Sequence, residues 1–301
     1  MYIVIGANGY LGSYIVKNIL ELTEERILAT ARDLSNVSNK DQIEWFSCDV
    51  QKEASVEKLM KKMQSYSEKR KLIYLAAFHH PDQVEKNQDI AWNINVTCLS
   101  KFVEQITRAG VEQAFYASTD SVYGESINAY HFKETDLLQP VNFYGHCKCA
   151  AEAIMIHQGY QVARFPFLIS PSLVYKPHFY DEIVYGLKAG NKIEMYEDSY
   201  RSSLSFDNAA YLLIKLMELN ISPQIVNICG DRDLSKYDVG CLIAKREGLD
   251  SAKVIPVMLS NMLSKKKQNF EVRRAASTLM DNTLLKECLR LKQVDIFDLP
   301  R

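Results

Sequence analysis

The chain has 301 residues, 47% apolar and 24% charged, with a formal charge of −1 at pH 7, enough for one large α/β domain or a large domain with a smaller lobe. The near-neutral balance gives no electrostatic reason to expect a nucleic acid or an anionic membrane as partner. No apolar run approaches a bilayer span, Met1 leads directly into a strand, and the seven cysteines are scattered without a Cys-x-x-Cys pair. A cytoplasmic protein with reduced thiols is expected, without signal peptide, disulfide framework or metal site.

Short apolar runs predict strands at Tyr2–Ile5, Arg26–Thr30, Ile43–Ser47, Leu72–Leu75, Gln113–Ser118 and Gln161–Phe165. Amphipathic stretches lie between them. Leu11, Ile15, Ile19 and Leu22 recur at helical spacing; a second helix runs from about Asp89 to Ala109, stopped by Gly110, and a third from about Asn142 to Gln158, ended by Gly159. Such alternation implies a parallel, doubly wound sheet, because parallel neighbours need crossover connections. Pro166, Pro171 and Pro177 then break the regularity, and shorter elements follow at Tyr180–Lys188, Ile193–Tyr196, Asn208–Leu219, Ile225–Ile228 and Lys236–Lys245. Lys265-Lys266-Lys267 reads as a solvated loop.

Gly6, Gly9 and Gly12 follow the first strand directly and open the first helix, the setting in which a glycine pattern reads as a dinucleotide cradle. Gly6 permits the tight turn, Gly9 the approach of phosphate to backbone N–H groups, and Gly12 close helix–strand packing. The helix N-terminus supplies dipole and donors, so Asn8, Tyr10 and Leu11 join the three glycines as cofactor-binding candidates. At the end of the second strand, Arg32 suits a ribose 2′-phosphate and favours NADP(H), while Asp33 keeps NAD(H) open. Asp49 and Val50 after the third strand are placed for the adenine, and Leu75-Ala76-Ala77 are small enough to let the cofactor lie close. The expected fold is therefore Rossmann-type, with residues 1–166 as the dinucleotide-binding domain. Residues 167–301 form mainly a substrate lobe over the carboxyl edge of the sheet, partly returning to it.

Tyr144 and Lys148 are four apart on a predicted helix and so share a face. A phenol of pKa about 10 must fall by some three units to act as an acid–base group at neutral pH, on the order of 4 kcal/mol. A neighbouring ammonium and a positive nicotinamide ring in a water-poor site are expected to supply it. Thr119, ending the fifth strand, would hold a substrate oxygen against Tyr144, with Asp120 and Ser121 beside it. His79 and His80 follow the fourth strand and should lie near the substrate.

In this order, the glycine turn, Ser118-Thr119-Asp120-Ser121-Val122-Tyr123-Gly124 and Tyr144-x-x-x-Lys148 resemble the extended short-chain dehydrogenase/reductase superfamily. The resemblance covers nearly the whole chain and points to the sugar-nucleotide branch of epimerases, dehydratases and 4-keto reductases. It implies catalytic roles for Thr119, Tyr144 and Lys148, and a positioning role for Asn95 in Asn93-Ile94-Asn95-Val96-Thr97. Arg201, ahead of Asp207-Asn208-Ala209, and Arg274, in a segment similar to one of the dTDP-4-dehydrorhamnose reductases, become candidates for a nucleotide diphosphate. Sugar-nucleotide dehydratases carry a proton-abstracting glutamate where this chain has Ser121. A hydroxyl cannot replace that base at neutral pH, so dehydration is disfavoured.

The expected reaction is NADP(H)-dependent reduction of a 4-keto deoxysugar on a nucleoside diphosphate, ahead of NAD-dependent epimerisation. The alternative of another class is a non-catalytic nucleotide-binding regulatory subunit, since some relatives of the reductases regulate another enzyme. Pairing of two copies through the long helices of the first half would suit the superfamily.

Overall fold

The first strand, β1 (Tyr2–Ile5), is buried at every position, as a strand must be when helices cover both faces of its sheet. Side chains alternate along a strand, so Tyr2 and Val4 enter one apolar core and Ile3 and Ile5 another. In the computed structural model, which describes residues 1–219, 222–259 and 272–299, the chain continues through α1 (Tyr10–Leu22), β2 (Ile27–Ala31), β3 (Ile43–Ser47), α2 (Glu53–Gln64) and β4 (Lys71–Tyr74). Next come α3 (Pro81–Lys86), α4 (Gln88–Trp92), α5 (Cys98–Arg108), β5 (Gln113–Thr119), β6 (His131–Phe132), α6 (Phe143–His157) and β7 (Gln161–Phe165). The remainder supplies α7 (Phe179–Lys188), β8 (Ile193–Tyr196), β9 (Tyr200–Arg201), α8 (Phe206–Met217), β10 (Ile225–Asn227), β11 (Leu234–Ser235), α9 (Lys236–Arg246), β12 (Val254–Val257), β13 (Leu279–Met280) and α10 (Thr283–Leu289). Lys265-Lys266-Lys267 lie outside the described residues.

Seven strands form one parallel sheet in the order β10-β7-β5-β4-β1-β2-β3. The Rossmann-type architecture expected from the sequence is present. Side chains of α1 and α8 complete the core on one face, those of α2, α5 and α6 the core on the other. A separate cluster joins α7, β8, α9 and β12. Thus α8 and β10 belong to the sheet and its flank, although they follow residue 166.

The single helix expected from Asp89 to Ala109 is interrupted. Between α4 and α5, Asn93–Thr97 make a π turn, and this widened turn buries Asn95. Its amide accepts from Phe78 N at 2.8 Å and donates to Phe78 O at 2.9 Å, fixing the segment that follows β4. π turns of this kind recur at functional sites. Helix α2 was legible but passed over: Val56, Leu59, Met60 and Met63 recur at helical spacing and are its buried residues. Among the described residues, no helix is long and apolar enough to cross a membrane.

Candidate active site

β1 stands between β2 and β4, where the strand order reverses, and ligands of open parallel sheets bind in the crevice at such a point. The carboxyl ends of β1, β4, β5 and β7 open there into a cleft of about 800 Å³. Gly6, Gly9–Gly12, Leu75 and Ala77 line one end of it; Thr119, Tyr144 and Lys148 line its middle. Tyr196, Ser199, Arg201, Lys236 and Arg273–Ala275 form the far wall.

The glycine loop fits a diphosphate. Gly6 has φ +85, and a Cβ there would lie 3.3 Å from Ala76 N, so Ala76 backs the turn. A Cβ on Gly12 would strike the Gly6 carbonyl and lie 2.8 Å from Ala7 Cα, which seats α1 directly on the loop. Gly9 is the N-cap of α1 and offers no side-chain cap, leaving the amides of the first turn available to an anion. Tyr10 and Leu11 line the cleft; the Tyr10 hydroxyl donates to Pro177 O at 2.8 Å, and its ring packs against His178, 4.7 Å between centroids. Asn8 lies instead on a second hollow with Asp33.

Beyond β2, Arg32 is exposed. Asp33 turns to Ser35, accepting from its N–H at 2.9 Å and its hydroxyl at 3.0 Å, bonds that hold its carboxyl below the ordinary range. Of the two, Arg32 is the side chain not committed to a local turn. Asp49 Oδ1 accepts from Gln51 N at 3.1 Å, so Asp49 and Val50 shape the turn into α2.

Helix α6 is capped by Asn142, whose Oδ1 accepts from Gly145 N at 3.0 Å. Gly145 has a steric purpose that sequence reasoning missed. A Cβ there would lie 2.6 Å from both Pro140 Cβ and Ser121 O, so only glycine lets α6, which carries Tyr144, lie against the Asp120–Val122 turn that follows Thr119. Lys148, 4% exposed, donates from Nζ to Ala117 O at 2.8 Å, and its ammonium is 4.5 Å from the Tyr116 ring centroid and 5.8 Å from that of Tyr144.

The electrostatics at Tyr144 are those of the chain without the nicotinamide ring expected to help lower its phenol. Burial first, then the charges of Asp120 and Cys147, push its phenol above the ordinary value of 10.0 instead of lowering it. Desolvation outweighs Lys148, whose ammonium is hydrogen-bonded to a carbonyl and not to the phenol oxygen. Tyr144 is therefore held protonated, as a proton donor must be. Thr119 Oγ1 is likewise engaged locally, donating to Asp120 Oδ1 at 2.9 Å and accepting from Ser121 N at 3.2 Å.

Burial pushes Lys148 down to about 8 from an ordinary 10.5, against the pull of Glu152. The unfolded chain then binds more protons between those values, so the native state is penalised below about pH 8 and relieved as pH rises toward 10.5. Lys148→Met should therefore raise Tm at pH 7 by removing a penalty of order 3 kcal/mol. The gain over wild type should shrink on repeating the melt near pH 10. A lower Tm for the variant at pH 7 would contradict this.

Beneath the cleft lies a buried polar network that the sequence did not disclose. Glu152, one turn beyond Lys148, accepts from Arg164 Nη2 at 2.7 Å and Nε at 3.0 Å, and also from the Ser118 hydroxyl. Arg164 Nη1 donates to Tyr123 Oη at 2.6 Å, and Tyr123 donates to Asn227 Oδ1 at 2.8 Å. The network ties β5, β7, β10 and α6 together immediately behind Thr119 and Lys148.

On the substrate side, His79 lines the cleft, and burial followed by the Lys148 charge lowers its pKa. His80 instead stands at the N-cap position of α3, where its side chain makes no capping hydrogen bond. Arg201, expected on a diphosphate, spends its fork on the protein. Its Nη groups donate to Tyr200 O at 2.7 Å, Ala276 O at 2.8 Å and Ala275 O at 2.8 Å, and Nε faces Asp120 Oδ2 at 3.3 Å. Arg274 Nη2 pairs with Asp82 Oδ2 of α3 at 2.8 Å, across the cleft mouth. Among the described residues, no group of three or more His, Cys, Asp or Glu could hold a metal ion.

The RmlD substrate binding domain profile matches residues 1–294. The chain belongs to the RmlD substrate binding domain family. Relatives of this RmlD-family chain include mouse dTDP-D-glucose 4,6-dehydratase, 30% identical over 192 residues, 60% of this chain and 52% of that protein. Methionine adenosyltransferase 2 subunit beta of Xenopus tropicalis is 25% identical over 198 residues, 62% of this chain and 57% of that protein. The chain thus spans little more than half the length of these curated relatives. Among solved structures, dTDP-4-dehydrorhamnose reductase from Bacillus anthracis in complex with NADP aligns at TM-score 0.79 and 19% identity, over 98% of this chain and 94% of that one. The fold of that reductase is shared over 98% of this RmlD-family chain.

Proposed function

We propose that this chain is an NADP(H)-dependent reductase acting on a 4-keto deoxysugar carried by a nucleoside diphosphate. One observation carries the reading: Thr119, Tyr144 and Lys148 all line the cleft that the glycine loop also lines. The amides at the start of α1 and Arg32 would hold the dinucleotide, which when bound supplies the hydride. Lys148 would hold its ribose, Tyr144 would give its proton to the carbonyl oxygen, and Thr119 would orient that oxygen. Ser121 stands where dehydration would require a carboxylate. The NADP carried by the Bacillus anthracis relative and the exposed Arg32 both support the phosphorylated cofactor over NAD(H).

In this reading residues 1–166 carry most of the cofactor site and residues 167–301 most of the sugar pocket. The cytoplasm suits seven unpaired cysteines, and a homodimer through α5 and α6 suits the superfamily.

The test is mass spectrometry of co-purified ligand followed by oxidation of NADPH and NADH in the presence of 4-keto sugar nucleotides. NADPH oxidation that depends on the keto sugar is expected. Tightly held NAD with sugar conversion but no net oxidation would favour epimerisation. A second reading is favoured by the similarity to methionine adenosyltransferase 2 subunit beta: a nucleotide-binding subunit of another enzyme. No turnover across the panel, together with a stable heteromeric complex, would select it.

A further inference from the structure

Lys236 opens α9 after the Ser235 cap, and its side chain enters the wall of the cleft with the ammonium over the Phe167 ring. Its cationic neighbours are committed to the protein: Arg201 to Asp120 and the backbone of residues 275–276, Arg274 to Asp82. Arg273, also on this wall, is exposed and can remain hydrated. Lys236 makes no hydrogen bond or ion pair with any described residue. Lys236 is part-buried and lines the cleft, so its ammonium stands open to an anionic ligand with no carboxylate of the described residues paired to it.

We propose that Lys236 is the principal anchor for the diphosphate of the substrate, and that Arg201 and Arg274 build the wall in which it stands. The proposal rests on the nucleotide-sugar reading of the same cleft. Burial, then the charge of Arg201, pushes the Lys236 ammonium well below its ordinary range; Asp120 pulls the other way and Arg274 adds to the push. A diphosphate brought to this wall would reverse that balance. Lys236 is near enough to Asp120 for its charge to act on it, so an anion held there would lie close to the Thr119–Asp120 turn, in the cleft that Tyr144 also lines. The arginines then act as struts. Arg201 links Asp120, next to Thr119, to the 275–276 backbone, and Arg274 holds that segment across the cleft to α3.

The experiment is calorimetric titration of the NADPH-loaded protein with dTDP and UDP, with thymidine and uridine as probes lacking phosphate. A charged hydrogen bond of ordinary strength predicts that Lys236→Met weakens the better nucleoside diphosphate about 10- to 100-fold. Nucleoside and NADPH affinities should not change. Because the substitution removes no hydrogen bond or ion pair to a described residue, Tm should hold or rise, whereas a lysine serving only the fold would lose stability. Lys236→Arg should restore most of the diphosphate affinity, and Lys236→Gln replaces Lys236→Met if the latter does not remain folded. Unchanged diphosphate affinity in a folded variant would overturn the anchor and leave the nucleotide-sugar reading standing. A wild-type protein that binds neither dTDP nor UDP would overturn both.

Discussion

Replacing Tyr144 with phenylalanine should lower kcat by about 10²- to 10⁴-fold, the usual contribution of a positioned proton donor, while NADPH still binds. The ring would keep its packing against the cluster of Val84, Ala91, Val96 and Cys147, and only the hydroxyl would be lost. Since burial and Asp120 keep the phenol protonated, the variant loses a donor that wild type holds ready at neutral pH. The measurement is steady-state turnover beside a fluorescence titration with NADPH. Near-full activity would remove Tyr144 from the reaction. A parallel loss of cofactor affinity would make its role structural.

Replacing Glu152 with alanine should have the largest effect on stability, on the order of 3–5 kcal/mol, because it strands a buried guanidinium. Both partners of the Glu152–Arg164 pair are 2% exposed, so solvent cannot screen the charge left behind. Urea unfolding should show a lower midpoint with an unchanged slope. The double replacement Glu152→Met with Arg164→Met should recover much of the loss, since apolar groups of similar volume often replace a buried pair at little cost. A single-variant loss within the range of an exposed ion pair, about 1 kcal/mol or less, would refute the assignment. Because Ser118 also donates to Glu152, the alanine variant should lose activity even where it stays folded.

Much of the site was legible because its signals are local. The glycines before α1 and the phenol and ammonium one helical turn apart follow from spacing alone. The arginines were less legible, because spacing cannot say what else a guanidinium touches. Arg201 meets backbone carbonyls 74 and 75 positions away, and Arg274 meets a carboxylate 192 positions away. The rise of the Tyr144 phenol in the chain by itself was not legible for a related reason: a sequence shows which charges are near along the helix, but not how deeply the group is buried. Lys236 and Gly145 gave no local sign at all.

What the sequence determined by itself was the parallel alternation of strands and helices, the glycine turn between β1 and α1, and the three residues proposed for the chemistry. All are local patterns: continuous apolar runs, side chains three to four apart along a helix, and glycines at fixed spacing in a turn. Only the tertiary structure decided which cations remain available to a ligand, which way the buried groups titrate and why a glycine must stand between Tyr144 and Lys148. Those properties belong to contacts between segments far apart in the chain, and only packing brings such segments together.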